Sequence, residues 1–549
     1  MRGLMMEMPL LVSDLIRHAD RHHRDTPIVS RRVEGDLHRY TYHDAHERSR
    51  RAANALGKLG LQPGDRVATL AWNGYRHFEI YYAVAGSGMV MHTVNPRLFP
   101  EQIAWILNDA KDKVLFLDLT FLPLVQKILP LCKHLKHLVL MTDRAHMPAG
   151  AEGFLCYEDL LAAESDAFEW PALDENTACG LCYTSGTTGN PKGALYSHRS
   201  TVLHAYAICL PDAMSLSASD SALPVVPMFH ANAWGLPFAA PLVGAKLVFP
   251  GAALDGKSLH ALFESERVSF SAGVPTVWGG LIQYMRENRV RLTTLKRTVI
   301  GGAPCPPAMI RALEDEFGIE VNHAWGMTEM SPLGSVCKLK EKHLSLPPEE
   351  RRAIREKQGR VVFGVDWKIV DAEGRDLPWD GEAFGDLHVR GPWVVSGYYE
   401  AAQSPLIDGW FPTGDVATID ADGFLRITDR SKDVVKSGGE WISSIALENI
   451  AMAHPAVQEA AVIACRHPKW DERPLLIAVL KPGQQLAREE LIAFYEGKVA
   501  KWWIPDDVVF AQELPHTATG KLLKTALREQ YRDHPLPVAT AASSGKVVA

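Results

Sequence analysis

Eleven residues, YTSGTTGNPKG from Tyr183 to Gly193, constrain this chain more than any other stretch. They hold four Ser/Thr hydroxyls, three glycines and one lysine, with Pro191 just before Lys192. Glycines let backbone N–H groups approach an anion, hydroxyls donate hydrogen bonds and Lys192 adds a cation, so the loop can close around phosphate oxygens. A strand-like run, Ala178 to Tyr183, leads in and Ala194 to Tyr196 leads out, which predicts a loop between two strands. It is not a Walker loop. That pattern needs Gly-Lys-Ser/Thr opening a helix, and here Gly189 is followed by Asn190, Pro191, Lys192 and Gly193. A Ser/Thr/Gly cluster alone is in general a polar surface turn, so its meaning rests on what accompanies it.

At 549 residues the chain exceeds one ordinary core, and two or more domains are expected. Its 47% apolar and 22% charged residues are those of a globular protein. A net charge of −7 argues against a nucleic-acid groove, which needs a basic face. Glu7, Pro9 and Asp14 interrupt the apolar N-terminal stretch, which makes a poor export signal. No run of roughly 18 uninterrupted apolar residues predicts a membrane span. Eight cysteines are scattered. Cys179 and Cys182 form a C-x-x-C pair, but they lie on the strand entering the loop, where i and i+3 point to opposite faces. Buried structural thiols in a reducing, cytoplasmic setting are the expectation.

The chain to about Lys58 reads as mainly helical and polar, and RHADRHHRD within it as a solvated helix end rather than a metal site. From Asp65 to about Leu140 strand-like runs alternate with helical ones (RVATLAW, HFEIYYAVAGSGMV, KVLFLD, HLVLM), the rhythm of a parallel sheet flanked by helices. It resumes with ALPVVPMF, AKLVFP, VSFSAGVP and TVIGGA. The charged stretch Pro347 to Arg360 reads as an exposed helix. After Arg360, short strands between Gly-rich turns predict a small antiparallel β unit. A final α+β segment opens at Asp429 and ends near Arg532. The expected fold is therefore α/β: a large N-terminal domain of parallel or mixed sheets flanked by helices, with a small β unit, and a smaller mobile α+β C-terminal domain. The boundaries are 1–429 for the first, 430–433 for a hinge and 434–534 for the second, with 535–549 a disordered tail.

Four further clusters carry chemistry: VPMFHANAWG (Val226 to Gly235), NHAWGMTEMSP (Asn322 to Pro332) after the turn IGGAPCP, WFPTGDVATIDADGF followed by DRSKDVVKSGGEWIS, and ELPHTATGKLLK. An acid beside a phosphate site is expected to reach magnesium, which prefers hard oxygen ligands. Gly301, Gly302 and Ala303 would let backbone approach a nucleotide. The Thr-x-Thr-Gly-Lys turn ending at Lys521 is by itself an ordinary exposed turn. Singly each cluster is weak, but five occur in order from Tyr183 to Lys521. Together with NGYRHFEIYYAVAGSG and VNPRLFPEQ, the chain resembles the adenylate-forming enzymes over nearly its whole length. It is most similar to bacterial medium- and long-chain fatty acyl-CoA ligases and methylthiopropionate-CoA ligases.

The resemblance implies a two-step ligase: acid and ATP give acyl-adenylate and pyrophosphate, then CoA thiol displaces AMP. Lys521, His230 and Glu329 would be catalytic. Thr184, Ser185, Gly186, Thr187, Thr188, Gly189, Lys192, Gly302, Ala303, Trp325, Gly326, Thr328, Asp415 and Arg430 would bind ATP or AMP. Thr184 and Glu329 would hold Mg2+, and Trp325, a tyrosine in many relatives, would stack on adenine. His230, Ala231, Trp234 and Gly235 would wall the acyl pocket. Lys432 would be the hinge, and Ser437, Gly438 and Gly439 would border the CoA channel. Asp429 departs from the Gly-Arg common in relatives. The implied partners are a small carboxylic acid, ATP and CoA, with a homodimer as assembly. Three other readings stay open. A peptide-synthetase adenylation domain would be followed by a carrier domain, a luciferase-like oxygenase shares the motifs, and a non-catalytic nucleotide-binding module would not need Lys521, Asp415 and the hinge together.

For the acid, medium- to long-chain fatty acids are expected, with 3-methylthiopropionate or an aryl acid as alternatives. Ala231, Gly235, Gly279 and Gly280 leave room, while Trp234 and Trp278 would shorten it. Neither Ala233 to Ala245 nor Ser271 to Leu281 carries a charge, which predicts an apolar pocket.

Overall fold

The computed structural model describes residues 1–184, 190–437, 440–516 and 522–537. Its elements follow the expected α/β order, with two large sheets first, then a small antiparallel sheet, then a separate C-terminal sheet. Strands Arg66–Leu70, Val90–Thr93, Val114–Leu117, His137–Leu140, Leu155–Cys156 and Ala178–Tyr183 form a parallel sheet, closed on one edge by antiparallel Gly193–Ser197. The loop at Tyr183 to Gly193 thus joins two paired strands, Tyr183 facing Gly193.

The second sheet has nine strands among the described residues. Six run parallel, from Pro27–Arg31 at one end to Glu320–Gly326 at the other. The parallel strands are short and apolar because helices cover both faces. Two elements differ from expectation. The N-terminal region is not wholly helical, since Pro27–Arg31 and Leu37–Thr41 form a hairpin at this sheet's edge. The run HFEIYYAVAGSGMV also divides: Tyr75–Gly86 is helix, while Val90–Thr93 is a strand. Helix Tyr75–Gly86 has no exposed residue and belongs to a core cluster that draws on both large sheets.

The charged stretch forms helix Pro348–Arg355, with no buried residue. Beyond it, Asp366–Val370, Phe384–Arg390, Phe411–Ile419 and Leu425–Arg430 make the antiparallel unit. The last sheet contains Val435–Ser437, Glu440–Ile442, Val457–His467, Asp471–Leu480 and Asp507–Ala511, packed by helices Ser444–Met452 and Lys524–Gln530. Cys179 and Cys182 are free buried thiols, pushed by burial to about 12 and about 11. No described helix is long and apolar enough to cross a membrane.

One buried side chain joins the sheets. Asn73, 4% exposed, donates to the Pro224 and Val226 carbonyls at 2.9 Å each and accepts from the Met228 N–H at 2.6 Å. Asn73→Ala is predicted to strand these groups at a cost of about 2–3 kcal/mol. Urea unfolding should show it, and a midpoint equal to wild type would rule out this tie.

Candidate active site

The large cleft, of about 680 Å³, opens where the strand ends of the big sheets meet the small antiparallel sheet and the C-terminal lobe. Thr184 and Lys192 close the base of the phosphate-type loop: the Thr184 N–H donates to the Lys192 carbonyl at 2.9 Å, and the Lys192 N–H to Thr184 Oγ1 at 3.2 Å. Both line the cleft. Lys192 Nζ stands 5.0 Å from the centre of the Tyr398 ring. Ser185, Gly186, Thr187, Thr188 and Gly189 lie outside the described residues. Gly193 is a packing requirement, because a Cβ there would come within 2.9 Å of Leu181 and 3.0 Å of Tyr399.

Glu329 sits on the short turn Thr328–Met330, 7% exposed and facing the cleft. The Tyr398 hydroxyl donates to its Oε1 at 2.8 Å. Burial, and then the Glu329 charge and this bond, hold the Tyr398 hydroxyl protonated well above the usual phenol range. The Thr328 carbonyl accepts from the Tyr196 hydroxyl at 2.5 Å. Nothing in the sequence pointed to Tyr398, which lies some seventy residues on.

Strand register makes the second half of the site. Asp415 and Arg430 face each other across paired strands, and Arg430 Nε stands 2.7 Å from Asp415 Oδ1. The other oxygen, Oδ2, accepts from the Trp325 indole N–H at 2.9 Å. Trp325 was expected as a stacking face, and its ring does line the cleft, but its polar edge serves Asp415. The ring rests where Gly334 has no side chain; a Cβ there would come within 2.5 Å of it. Gly301, Gly302, Ala303 and Gly326 also line the cleft. Gly302 has φ +77°, and a Cβ on Gly301 would meet the Ala324 carbonyl at 2.8 Å.

The segment after His230 is strained. Ala231, Asn232, Ala233 and Trp234 have φ of 43°, 52°, 48° and 57°, and Gly235 follows at 82°. Left-handed backbone costs roughly 1–2 kcal/mol for each non-glycine residue. The Tyr81 hydroxyl secures the turn through the Met228 carbonyl at 2.5 Å and Asn232 Oδ1 at 3.2 Å. The turn sets His230, Ala231 and Trp234 on the cleft wall. Gly235 does not line it. It backs onto His204, where a Cβ would come within 2.7 Å of the ring.

A second, small cavity of about 80 Å³ shares His230, Trp234 and Gly302 with the cleft, so Trp234 stands between the two spaces. Its other walls are Trp72, Phe229, Leu254, Val274 and Val277, with Arg97. The Arg97 guanidinium lies 5.9 Å from the ring centres of both Trp72 and Phe229. Trp278, Gly279 and Gly280, expected at the acyl pocket, line neither space; Trp278 is buried against Phe263 in another core. Residues 236–243 form a buried helix elsewhere. The small cavity also carries a charge, Arg97, from VNPRLFPEQ, a stretch read above only for resemblance.

Lys521 lies outside the described residues, but its neighbours Leu522 and Leu523 line the cleft, as does Lys432 in the turn after Arg430. Burial lowers the affinity of the Lys432 amine for its proton. Ser437 is away from the cleft and accepts from Arg473 at 3.2 Å; Gly438 and Gly439 are outside the described residues.

The family model for AMP-binding enzymes matches residues 15–399, and that for their C-terminal domain residues 446–521. This chain belongs to the AMP-binding enzymes. It is 53% identical over 535 residues to 3-methylmercaptopropionyl-CoA ligase of Ruegeria lacuscaerulensis, covering 97% of this chain and 99% of that one. It is 52% identical over 535 residues to medium-chain-fatty-acid–CoA ligase of Ectopseudomonas oleovorans, covering 97% and 98%. Among solved structures, anthranilate CoA ligase AuaEII with anthranoyl-AMP matches with a TM-score of 0.85 and 25% identity, covering 96% of this chain and 99% of that one. Like these ligases, this AMP-binding enzyme is an AMP-forming acid–CoA ligase that uses ATP, Mg2+ and CoA.

The residues of this AMP-binding enzyme fit those groups. Glu329, with one oxygen held by Tyr398, and the Thr184 hydroxyl both line the cleft and would offer hard oxygens to Mg2+. Asp415 presents a carboxylate already aimed from two sides. Asp415→Asn is predicted to raise KM for ATP about tenfold or more, since a charged acceptor is lost between two oriented donors. Steady-state kinetics at saturating acid and CoA would check it, and an unchanged KM would remove Asp415 from the nucleotide site.

Proposed function

We propose that this chain activates straight-chain carboxylic acids of medium length, accepting longer ones less well. The observation that carries this is the small cavity beyond Trp234, which shares His230, Trp234 and Gly302 with the cleft and is walled by Trp72, Phe229, Leu254 and Arg97. The acyl carboxylate would lie beside His230, with its alkyl chain past Trp234. Each buried methylene contributes roughly 0.8 kcal/mol, so preference should rise with length until the cavity ends.

In the first half-reaction a carboxylate oxygen attacks the α-phosphorus of ATP, an O–P bond forms and pyrophosphate leaves. Mg2+ when bound neutralises phosphate charge. Thr184 and Lys192 would hold phosphate oxygens, Asp415 and Arg430 the ribose, and the Gly301–Gly302 backbone would come close to the nucleotide. Lys521 would bridge attacking carboxylate and phosphate in the transition state. In the second half-reaction the CoA sulfur attacks the acyl carbon and AMP leaves, after a turn about Lys432 that brings Ser437, Gly438 and Gly439 to the cleft. The domain division at residues 430–433 belongs to this reading. The placement of Leu522 and Leu523 on the cleft supports the adenylating orientation for the lobe described above.

A second reading is a short thioether acid. The aromatic walls Trp72 and Phe229 favour it, since sulfur packs well on ring edges. The 53% identity to a 3-methylmercaptopropionyl-CoA ligase supports it as well. The free buried thiols fit a reducing compartment, and we place the enzyme in the cytoplasm. The resemblance carries the expectation of a homodimer, which sedimentation would test.

CoA-dependent AMP formation across acids from acetate to palmitate, with 3-methylthiopropionate and benzoate, tests the substrate. A wild-type preference for 3-methylthiopropionate over octanoate would decide for the second reading. Trp234→Ala should shift the optimum to longer acids, and an unmoved optimum would take Trp234 out of length selection. Lys521→Ala should slow adenylation by about two to three orders of magnitude while thioester formation from supplied acyl-adenylate continues. Equal loss in both half-reactions would refute its role.

A further inference from the structure

At one end of the cleft, three charged side chains meet that no step above uses. Lys524 Nζ stands 2.6 Å from Glu448 Oε1 and donates to Ser444 Oγ at 2.5 Å. All three residues follow the turn at Lys432. The third charge, Asp429, comes from before it. Asp429 is 1% exposed, on strand Leu425–Arg430, and its Oδ2 accepts the backbone N–H of Ser444 at 2.6 Å. Its Oδ1 accepts the Arg430 N–H at 2.7 Å.

Ser444 is the first residue of helix Ser444–Met452, and Ser443 is its N-cap, accepting from the Ala446 N–H at 3.1 Å. The Ser443 hydroxyl also donates to the Thr428 carbonyl. The helix start is therefore fastened to the strand end by a backbone contact and a carboxylate. An anion at a helix N-terminus answers the partial positive charge of its unpaired N–H groups. Burial raises the Asp429 carboxyl above the ordinary range, and the nearby Lys524 ammonium opposes that.

We propose that Asp429 is a positioning residue for adenylation. Its carboxylate anchors helix Ser444–Met452, and with it the turn Leu522–Lys524, over the nucleotide cleft. The inference rests on the two-orientation reading given above. The topology makes the anchor one-sided. A rotation at Lys432 carries Ser444, Glu448 and Lys524 away from Asp429, but leaves Lys524 with both of its own lobe's partners. Asp429 exchanges an N–H for water, and the Thr428 carbonyl loses the Ser443 hydroxyl. Such a contact favours one orientation without penalising the inside of the lobe that moves.

The test uses full-length enzyme and four variants: Asp429→Ala, Asp429→Asn, Ser444→Pro and Ser444→Ala. Proline at a first helical position keeps the helix and removes the N–H that Asp429 holds. Alanine keeps that N–H and removes only the hydroxyl. Octanoate-dependent pyrophosphate exchange reads adenylation, and thioester formation from supplied octanoyl-adenylate and CoA reads the second half-reaction. Asp429→Ala and Ser444→Pro should lower the first about tenfold, the size of a lost cap contact, and leave the second unchanged or faster. Asp429→Asn should fall between them and wild type, and Ser444→Ala should match wild type. A parallel loss in both half-reactions, or no loss in either, would overturn the proposal. Absence of pyrophosphate exchange in wild type with every acid tried would overturn the ligase reading itself.

Discussion

Helix Tyr75–Gly86 has no exposed residue, yet it carries Tyr75, Arg76, His77, Glu79, Tyr81 and Tyr82. A buried polar group without a partner costs more than most packing contacts return, so each of these side chains dictates something about its neighbours. Glu79 accepts from Arg48 and from the Tyr157 hydroxyl at 2.7 Å each. Arg76 donates to Glu158 and to the Met141 carbonyl at 2.8 Å each. His77 lies 2.9 Å from Thr69 Oγ1, and burial holds its pKa at about 4, so it is neutral. Tyr82 reaches the Pro237 carbonyl at 2.7 Å. The Tyr82 bond reaches a helix that connects strands of the other large sheet. Tyr81, by way of Met228 and Asn232, extends the tie to the turn that presents His230 and Trp234.

Seen from that helix, the strain after His230 has a source of support. Four consecutive non-glycine residues in left-handed backbone are unfavourable by themselves. They persist because Tyr81, Asn73 and the close fit of Gly235 on His204 over-determine the local path. The gain is directional. The chain reverses within five residues, so the histidine and the tryptophan of one short segment face the cleft while the following helix returns to the core.

Much of this was legible from residue order. The strand, loop and strand around Lys192, the antiparallel unit after Arg360 and the families of residues at 325–329 and 415–430 follow from local pattern and from resemblance, which both act along the chain. What was not legible acts across it. Val90–Thr93 was missed because the Gly86-Ser87-Gly88 turn that ends the helix was read as part of one helical run. Gly235 and Trp278 look like pocket residues by type, but composition does not say which side of a turn or helix faces a cavity. Tyr398 on Glu329, Trp72 and Arg97 at the small cavity, and Lys524 beside Asp429 come from distant segments, with no spacing that marks them.

Trp325 and Asp415 form a donor and acceptor whose reach is set by the indole. A phenol at 325 would place its hydrogen farther out along a different axis, and Gly334 would face a smaller ring. The three positions are thus coupled by direct contact. Chains of this fold that keep an indole at 325 should keep a bare backbone at 334, and those that change one should change the other. Transplanting the aromatic residue alone into a relative would leave the carboxylate half-answered and the ring without its seat.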